Sequence, residues 1–587
     1  MTKENNSVLS KLNNLLRIPG VTFLWGVTVG VVTFLLLYGV AVLNPVNVNW
    51  LRHSNDLEGL WDLSQHYLGW VAYRNSPWTF PIGMTEGITA EPISVVYTDS
   101  IPLFALFFKV ISPLLPESFQ YFGLFELLCY GLTGGFGALI SARFAHHPLL
   151  SFASALFFVT SPVLTKRVFY HSALSAHFLI LAALCLWMYR AYFTPKRQGY
   201  LWVLLTVLAT VINAYYVPMV LGFLCMEVMQ EHLAQRNMRL SPFVPVLSGT
   251  ASLLTGWILG MFGGRVSVAA ENLENVSFDL FGFFNSRNDV LKHVLTMPLY
   301  EFVGAEDYSR FLPGFQTFTP WQSEGFSYVG LGMLGLMLFV CVYFFASKHS
   351  PDETKIMRSY LISISIGVVG FTFLAVGPRV TAGGKVLFTI PWPEGIYRLL
   401  SVFRTTGRLI WPVYYGLMTL AIIGITCIYL QSRQRRLLVL VGALLCLQLY
   451  DISPSLAHKH AIYAHIGEEA YENPLLKEEI FSDAAKDKSE ILFVSPTRAI
   501  ALRPYWSTLL EDYALENGMK MNAAYCSRDI TASADAYADA HIARLRAGDP
   551  TSTVLYIFLT EDILDEYRDL PLKISPYEDI FIGTYRE

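Results

Sequence analysis

Asp62, Gln65 and His66 stand at i, i+3 and i+4 in Trp61-Asp62-Leu63-Ser64-Gln65-His66-Tyr67-Leu68-Gly69-Trp70, so a helix here puts all three on one face. A carboxylate so placed can take a proton from an acceptor hydroxyl or ligate a divalent cation. Trp61 and Trp70 flank it, and tryptophan favours the membrane–water boundary. The plainer reading is a solvated surface helix with tryptophan anchors. Asp56 and Glu58 offer the same chemistry from the preceding loop. Asp99, in Tyr97-Thr98-Asp99-Ser100-Ile101-Pro102, reads either as a helix N-cap with proline in the first turn or as a second carboxylate of the same site.

Cations gather elsewhere. In Phe403-Arg404-Thr405-Thr406-Gly407-Arg408, two arginines with hydroxyls between them precede a predicted helix. Forked guanidinium donors and free helix N–H groups suit a phosphate. The alternative is that both arginines reach for lipid head groups. Trp321-Gln322-Ser323-Glu324-Gly325-Phe326-Ser327-Tyr328 adds Glu324, either a ligand of sugar hydroxyls or an interface residue, and Tyr328. Asn285 is a weaker candidate of the same kind. His171 and His177 are six residues apart, poor spacing for two metal ligands on one helix, so His171 is taken as a substrate-binding residue alone.

The elements that must hold these residues are apolar helices. Of 587 residues, 53% are hydrophobic and only 15% charged, a composition that points to a polytopic membrane protein. The net charge of −4 and the lack of Lys/Arg runs exclude nucleic acid as an expected partner. Six of the seven cysteines lie in apolar runs as small hydrophobes, while Cys526 stands alone in a polar region.

After a first apolar run, Val21–Leu43, come runs at about 119–142, 147–164, 172–189, 200–216, 217–230, 243–262, 326–346, 357–377, 408–430 and 436–450. The expectation is about 11–12 spans. Basic residues crowd every second connection, which sets residues 1–20 in the cytoplasm and loops 44–98, 263–325 and 378–407 outside. Parity then requires Ile101–Leu115, which carries Lys109 and ends among prolines, to dip into the membrane without crossing. Otherwise Arg143-His146-His147 faces outside and a later run fails to cross.

The tail, 452–587, carries no spanning run. Strands are expected at Ile491–Ser495, Thr553–Leu559 and Ile580–Tyr585, and helices at 503–517 and 533–547, as a small soluble α/β domain.

Together, the 61–70 run, Pro77-Trp78-Thr79-Phe80-Pro81, Thr98-Asp99-Ser100-Ile101-Pro102-Leu103, Gly325–Gly332 and 403–408 resemble a bacterial branch of the GT-C superfamily of integral-membrane glycosyltransferases, over residues 20–450. The resemblance implies a polyprenyl-phosphate-linked sugar donor, an envelope glycan, lipid or protein acceptor on the periplasmic side of the inner membrane, and Asp62 as base. It departs from the family in having Asp56 and Asp62 separated rather than adjacent. No metal ligand is therefore assigned, and a divalent cation is the one cofactor left open. The competing functions are a flippase or transporter of lipid-linked saccharides and a non-catalytic scaffold. Against transport, the sequence has no repeated halves.

Overall fold

The computed structural model describes residues 17–52, 61–233, 240–262, 273–287, 308–347, 351–466, 471–497, 504–527, 531–548 and 552–585. Asp56 and Glu58 lie outside the described residues.

Helices dominate up to residue 463. Among the described residues four are long and apolar enough to cross a membrane: Pro19–Tyr38, Phe122–Ala142, Pro148–Arg167 and Thr406–Ser432. A fifth counts if Arg435–Asp451 and Ser453–Tyr463, bent by 57° at their junction, act as one. Ser172–Met188, Val244–Ile258, Leu331–Ala346 and Ile362–Val376 are apolar but shorter. The runs at 200–216 and 217–230 form Pro195–Ile212 and Tyr216–Leu233. Each takes in polar residues at one end, Lys196, Arg197 and Gln198 in the first and Glu227 and Glu231 in the second.

The first of these apolar helices is seated by small residues. A Cβ on Gly26 would fall 2.2 Å from the Gly134 carbonyl oxygen, and one on Gly30 would fall 2.1 Å from that of Tyr130. Pro19–Tyr38 and Phe122–Ala142 therefore touch backbone to backbone, the close approach that small residues permit between apolar helices. Between them, Pro102–Val110 is a nine-residue helix, about 14 Å long and short of the hydrocarbon core. Its Lys109 Nζ sits 3.9 Å from the Tyr73 ring centroid and 4.7 Å from that of Trp78, which compensates its burial.

The C-terminal region is built on a five-stranded sheet. After two antiparallel pairs earlier in the chain, β1 Met84–Thr85 with β2 Ile93–Ser94 and β3 Arg379–Ala382 with β4 Lys385–Thr389, its strands are β5 Glu490–Phe493, β6 Lys520–Met521, β7 Val554–Phe558, β8 Leu572–Tyr577 and β9 Ile580–Tyr585, in the spatial order β6-β5-β7-β9-β8. β5 runs parallel to β6 and β7, whereas β9 is antiparallel to β7 and β8. All five residues of the central β7 are buried, as expected for a strand covered on both faces. Helices Pro504–Glu516 and Thr531–Arg546 supply Leu510, Tyr513, Ala538 and Ile542 to that core. The two-residue strand β6 and the edge strand β8 were not anticipated.

This region is fastened to the chain that follows helix Pro19–Tyr38. Arg52 meets both carboxylate oxygens of Asp512 at 2.8 Å and also pairs with Glu516. The Met521 and Ala90 amides donate to Gly87 and Asn522 carbonyls at 2.8 and 2.9 Å.

Candidate functional site

Helix Trp61–Asn75 carries the predicted trio, and Asp62 falls in its first turn, where a carboxylate complements the free N–H groups. The three do not play equal parts. The Asp62 side chain is 23% exposed, whereas Gln65 and His66 are buried. Gln65 donates to the Tyr97 carbonyl at 3.3 Å. His66 stacks on Phe122, and its Nδ1 is buried without a hydrogen-bond partner. Burial drives the His66 imidazole down to about 3, so this ring stays neutral. The shared face therefore packs inward, and Asp62 alone stands at its edge.

Asp62 Oδ2 lies 3.2 Å from Nε2 of His171. His171 Nδ1 faces the Arg167 guanidinium at 3.4 Å, a group that only donates, so the imidazole proton sits on Nε2 and points at Asp62. Arg167 in turn reaches Glu324 Oε2 at 3.0 Å and the Glu324 carbonyl at 3.1 Å. The same Oε2 accepts from Arg408 Nε at 2.9 Å and Nη2 at 2.8 Å. A line of polar contacts thus runs Asp62–His171–Arg167–Glu324–Arg408. Two arginines share one carboxylate, which leaves a surplus positive charge beside Asp62.

Burial disfavours the charge on Asp62, but its interactions with His171 and then His66 hold its carboxyl below the usual range. At Glu324 burial again opposes ionisation, and Arg167, Arg408, His171 and Lys166 overcome it, holding the group well below its ordinary value. Both acids are therefore carboxylates at neutral pH.

The chain seats this line by close backbone contact. Glu324 belongs to a short 3₁₀ helix, Pro320–Gly325, and Arg408 to another, Thr406–Ile410. A Cβ on Gly407 would lie 2.9 Å from the Gly325 Cα and 3.0 Å from the Val276 carbonyl oxygen, so the two turns approach as only glycines allow.

Several sequence expectations need correction. Asp99 does not cap the helix beginning at Pro102: Ile101 occupies that cap, and Asp99 ends the preceding 3₁₀ turn at φ 53°. Asp99 is instead within electrostatic reach of Arg408 and Tyr525. Tyr328 is fully buried, and its hydroxyl donates to Asp451 at 2.6 Å, so it braces the helices rather than facing a ligand. Asn285 is spent on its own loop, bonding the Phe315 amide and carbonyl at 3.0 Å. His177 is buried against Tyr415, 2.7 Å from its hydroxyl. Arg404 and Arg408 do not form one fork. Arg404 is exposed and donates to the Ser527 carbonyl at 3.3 Å, whereas Arg408 is committed to Glu324.

Two residues of the site escaped the sequence reading. Arg167 ends an apolar run in Thr165-Lys166-Arg167, and an unbroken cation pair there was the available signal. Tyr525, from the C-terminal region, lies within electrostatic reach of Asp62, and no pattern in its neighbourhood announced it. The Asp62 charge, then burial, pushes its phenol up, so it remains a donor. Among the described residues, no three His, Cys, Asp or Glu side chains are grouped to hold a metal ion.

No curated protein matches the chain. A family model described as a domain of unknown function, DUF6311, matches residues 27–453, and a second, the DUF6311 C-terminal domain, matches residues 480–579. With most of its length covered, from the first apolar helix through the carboxylate–arginine line, the chain belongs to the DUF6311 family.

Proposed function

We propose that the protein is an integral-membrane glycosyltransferase of the GT-C type. It would move a sugar from a polyprenyl-phosphate-linked donor to an acceptor hydroxyl on an envelope glycan, lipid or protein. The observation that carries this reading is an ionised, partly exposed carboxylate, Asp62, oriented by His171 and set beside two arginines that share one counter-charge.

In this reaction Asp62 takes the acceptor proton as the acceptor oxygen attacks the anomeric carbon. The bond from that carbon to the lipid phosphate breaks, and the departing phosphate keeps the electron pair. Exposed Arg404 and the surplus charge at Arg167 and Arg408 meet the new negative charge. Loop orientation by the positive-inside rule puts this site at the periplasmic face of a bacterial inner membrane, in a chain of about 11–12 spans with the C-terminal region on the same side. Lys166 and Arg167 then face outward against that rule, and their burial and pairing account for the exception.

The test is sugar transfer in membranes holding the protein and a lipid-phosphate sugar donor. Asp62→Asn lowers the rate on the order of 10²–10⁴-fold, the usual worth of a general base. Arg404→Ala lowers it less. Wild-type rates in both variants would sink the reading. Translocation of a lipid-linked saccharide in proteoliposomes, with no glycosidic bond formed, would replace it with transport.

A further inference from the structure

The loop between Ile362–Val376 and Thr406–Ser432 carries an apolar surface that the described residues leave open. In its hairpin, every residue of β4 is exposed, including Val386, Leu387 and Phe388. The hairpin is nevertheless held in place. Asp279 accepts from the Gly383 and Gly384 amides at 2.9 and 3.1 Å, and Thr381 accepts from the Leu280 amide and Gln322, both at 2.9 Å. A fixed edge strand that shows Val-Leu-Phe to water is an aggregation hazard unless something covers it.

The helix that follows, Glu394–Ser401, repeats the pattern. Ile396, Leu399 and Val402 are exposed at three-residue steps along one side, while Leu400 is buried in the protein. Glu394 and Arg398 pair with each other on the side away from Ile396. Continuity identifies what lies against the apolar side. Ile362, Ile366, Val369 and Phe373 form an exposed stripe down the preceding apolar helix, and the Trp392 ring sits 5.5 Å from that of Phe373. The flank of that helix thus leads through Trp392 to the next one. The charges agree with a headgroup layer, since residues 379–404 hold Arg379, Lys385, Arg398 and Arg404 against the single acid Glu394.

We propose that β4 and helix Glu394–Ser401 form an anchor that lies in the headgroup–acyl boundary of a phospholipid bilayer without crossing it. The proposal rests on the membrane placement in the proposed function and deepens it. An amphipathic helix in that boundary sinks its apolar side about 5–10 Å and keeps its charges among the headgroups. Water at that depth still serves the outer backbone of β4. Arg404 comes three residues after Ser401 and is exposed, so the anchor sets it at the level of a lipid phosphate. A lipid-linked donor then reaches Arg404 sideways through the leaflet.

The test labels the unaltered full-length protein from within the bilayer. Vesicles of phosphatidylethanolamine and phosphatidylglycerol carry the protein and a phosphatidylcholine with a photoreactive diazirine on its acyl chain. After illumination, mass spectrometry of the digested protein maps the labelled residues. Residues 386–388 and 396–402 should take label within about threefold of the stripe at 362–373, as side chains sunk to the acyl boundary would. Helix Glu561–Glu566 of the C-terminal region, the reference for a water-facing element, should take none. Label on the stripe but not on β4 and the helix would overturn the anchor and leave the membrane placement standing. Absence of label from the stripe as well would overturn both. A protein–protein cross-link at Phe388 or Leu399, with these segments shielded from lipid, would overturn the anchor in favour of a second copy or another protein as the cover.

Discussion

Arg408 holds Glu324 through two of its nitrogens, Nε at 2.9 Å and Nη2 at 2.8 Å, both to the same carboxylate oxygen. Arg167 reaches that oxygen from the other side at 3.0 Å. A glutamate so engaged acts first as the counter-charge of two arginines. Glu324→Gln therefore strands two buried cations, and breaking a buried ion pair by removing one partner costs about 3–5 kcal/mol. Thermal unfolding of the purified protein in detergent measures the loss; a change within error would show that the arginines find other partners.

Gly407→Ala tests the seat of that pair. The added methyl would meet the Gly325 backbone and the Val276 carbonyl oxygen inside normal contact distance, and backbone cannot move aside as a flexible side chain does. The expected cost is about 1–3 kcal/mol, the range for overpacking a filled site. Unfolding curves for Gly407→Ala and Gly416→Ala provide the comparison, since a Cβ on Gly416 meets nothing within 4 Å.

His66 gives the protein an acid sensitivity of definite sign. Its folded-state value, about 3, lies below its ordinary 6.5, so the fold favours the neutral ring and the unfolded chain binds the proton first. The contribution is complete above pH 6.5, declines as pH falls towards 3 with a slope of at most about 1.4 kcal/mol per unit, and is flat below. Asp62 and Glu324 act in the same direction from their ordinary values, 3.8 and 4.5, downward, because the fold depresses both carboxyls. Stability against pH for His66→Gln should lose the slope between 6.5 and 4.5, above the carboxylate range; an unchanged slope there would assign it to other groups.

Arg52→Ala tests the docking of the C-terminal region. The Arg52 side chain is 14% exposed and that of Asp512 only 6%, so the variant leaves a buried carboxylate short of two donors. Hydrogen bonds to charged groups contribute about 1.5–3 kcal/mol, a loss that should speed proteolytic release of this region roughly tenfold or more. Equal digestion rates would show that the backbone bonds at Gly87 and Ala90 suffice.

What the sequence disclosed follows the range of the forces involved. Periodicity is local, so the helix carrying Asp62 and the strands β5, β7 and β9 could be read directly. The inward turn of Gln65 and His66 could not, because i, i+4 spacing says which residues share a face and not what covers it. Asp99 misled because proline at a first helical turn invites a capping aspartate nearby. The chain instead turns at both Asp99 and Ile101, each at φ 53°, while Ser100 bonds the His66 carbonyl. Arg404 and Arg408 looked like a pair on spacing, but the 3₁₀ turn between them sends one outward and the other to Glu324. Tyr525 was illegible for the opposite reason, since its partner lies at the other end of the sequence.

That separation also orders events in time. Arg52 and Asp512 are 460 residues apart, and Tyr97 and Ser527 are 430 apart. The helices between them are complete before these partners can meet, and a chain cut before residue 512 would keep Asp62, His171, Arg167 and Arg408 and lose both of these fastening contacts.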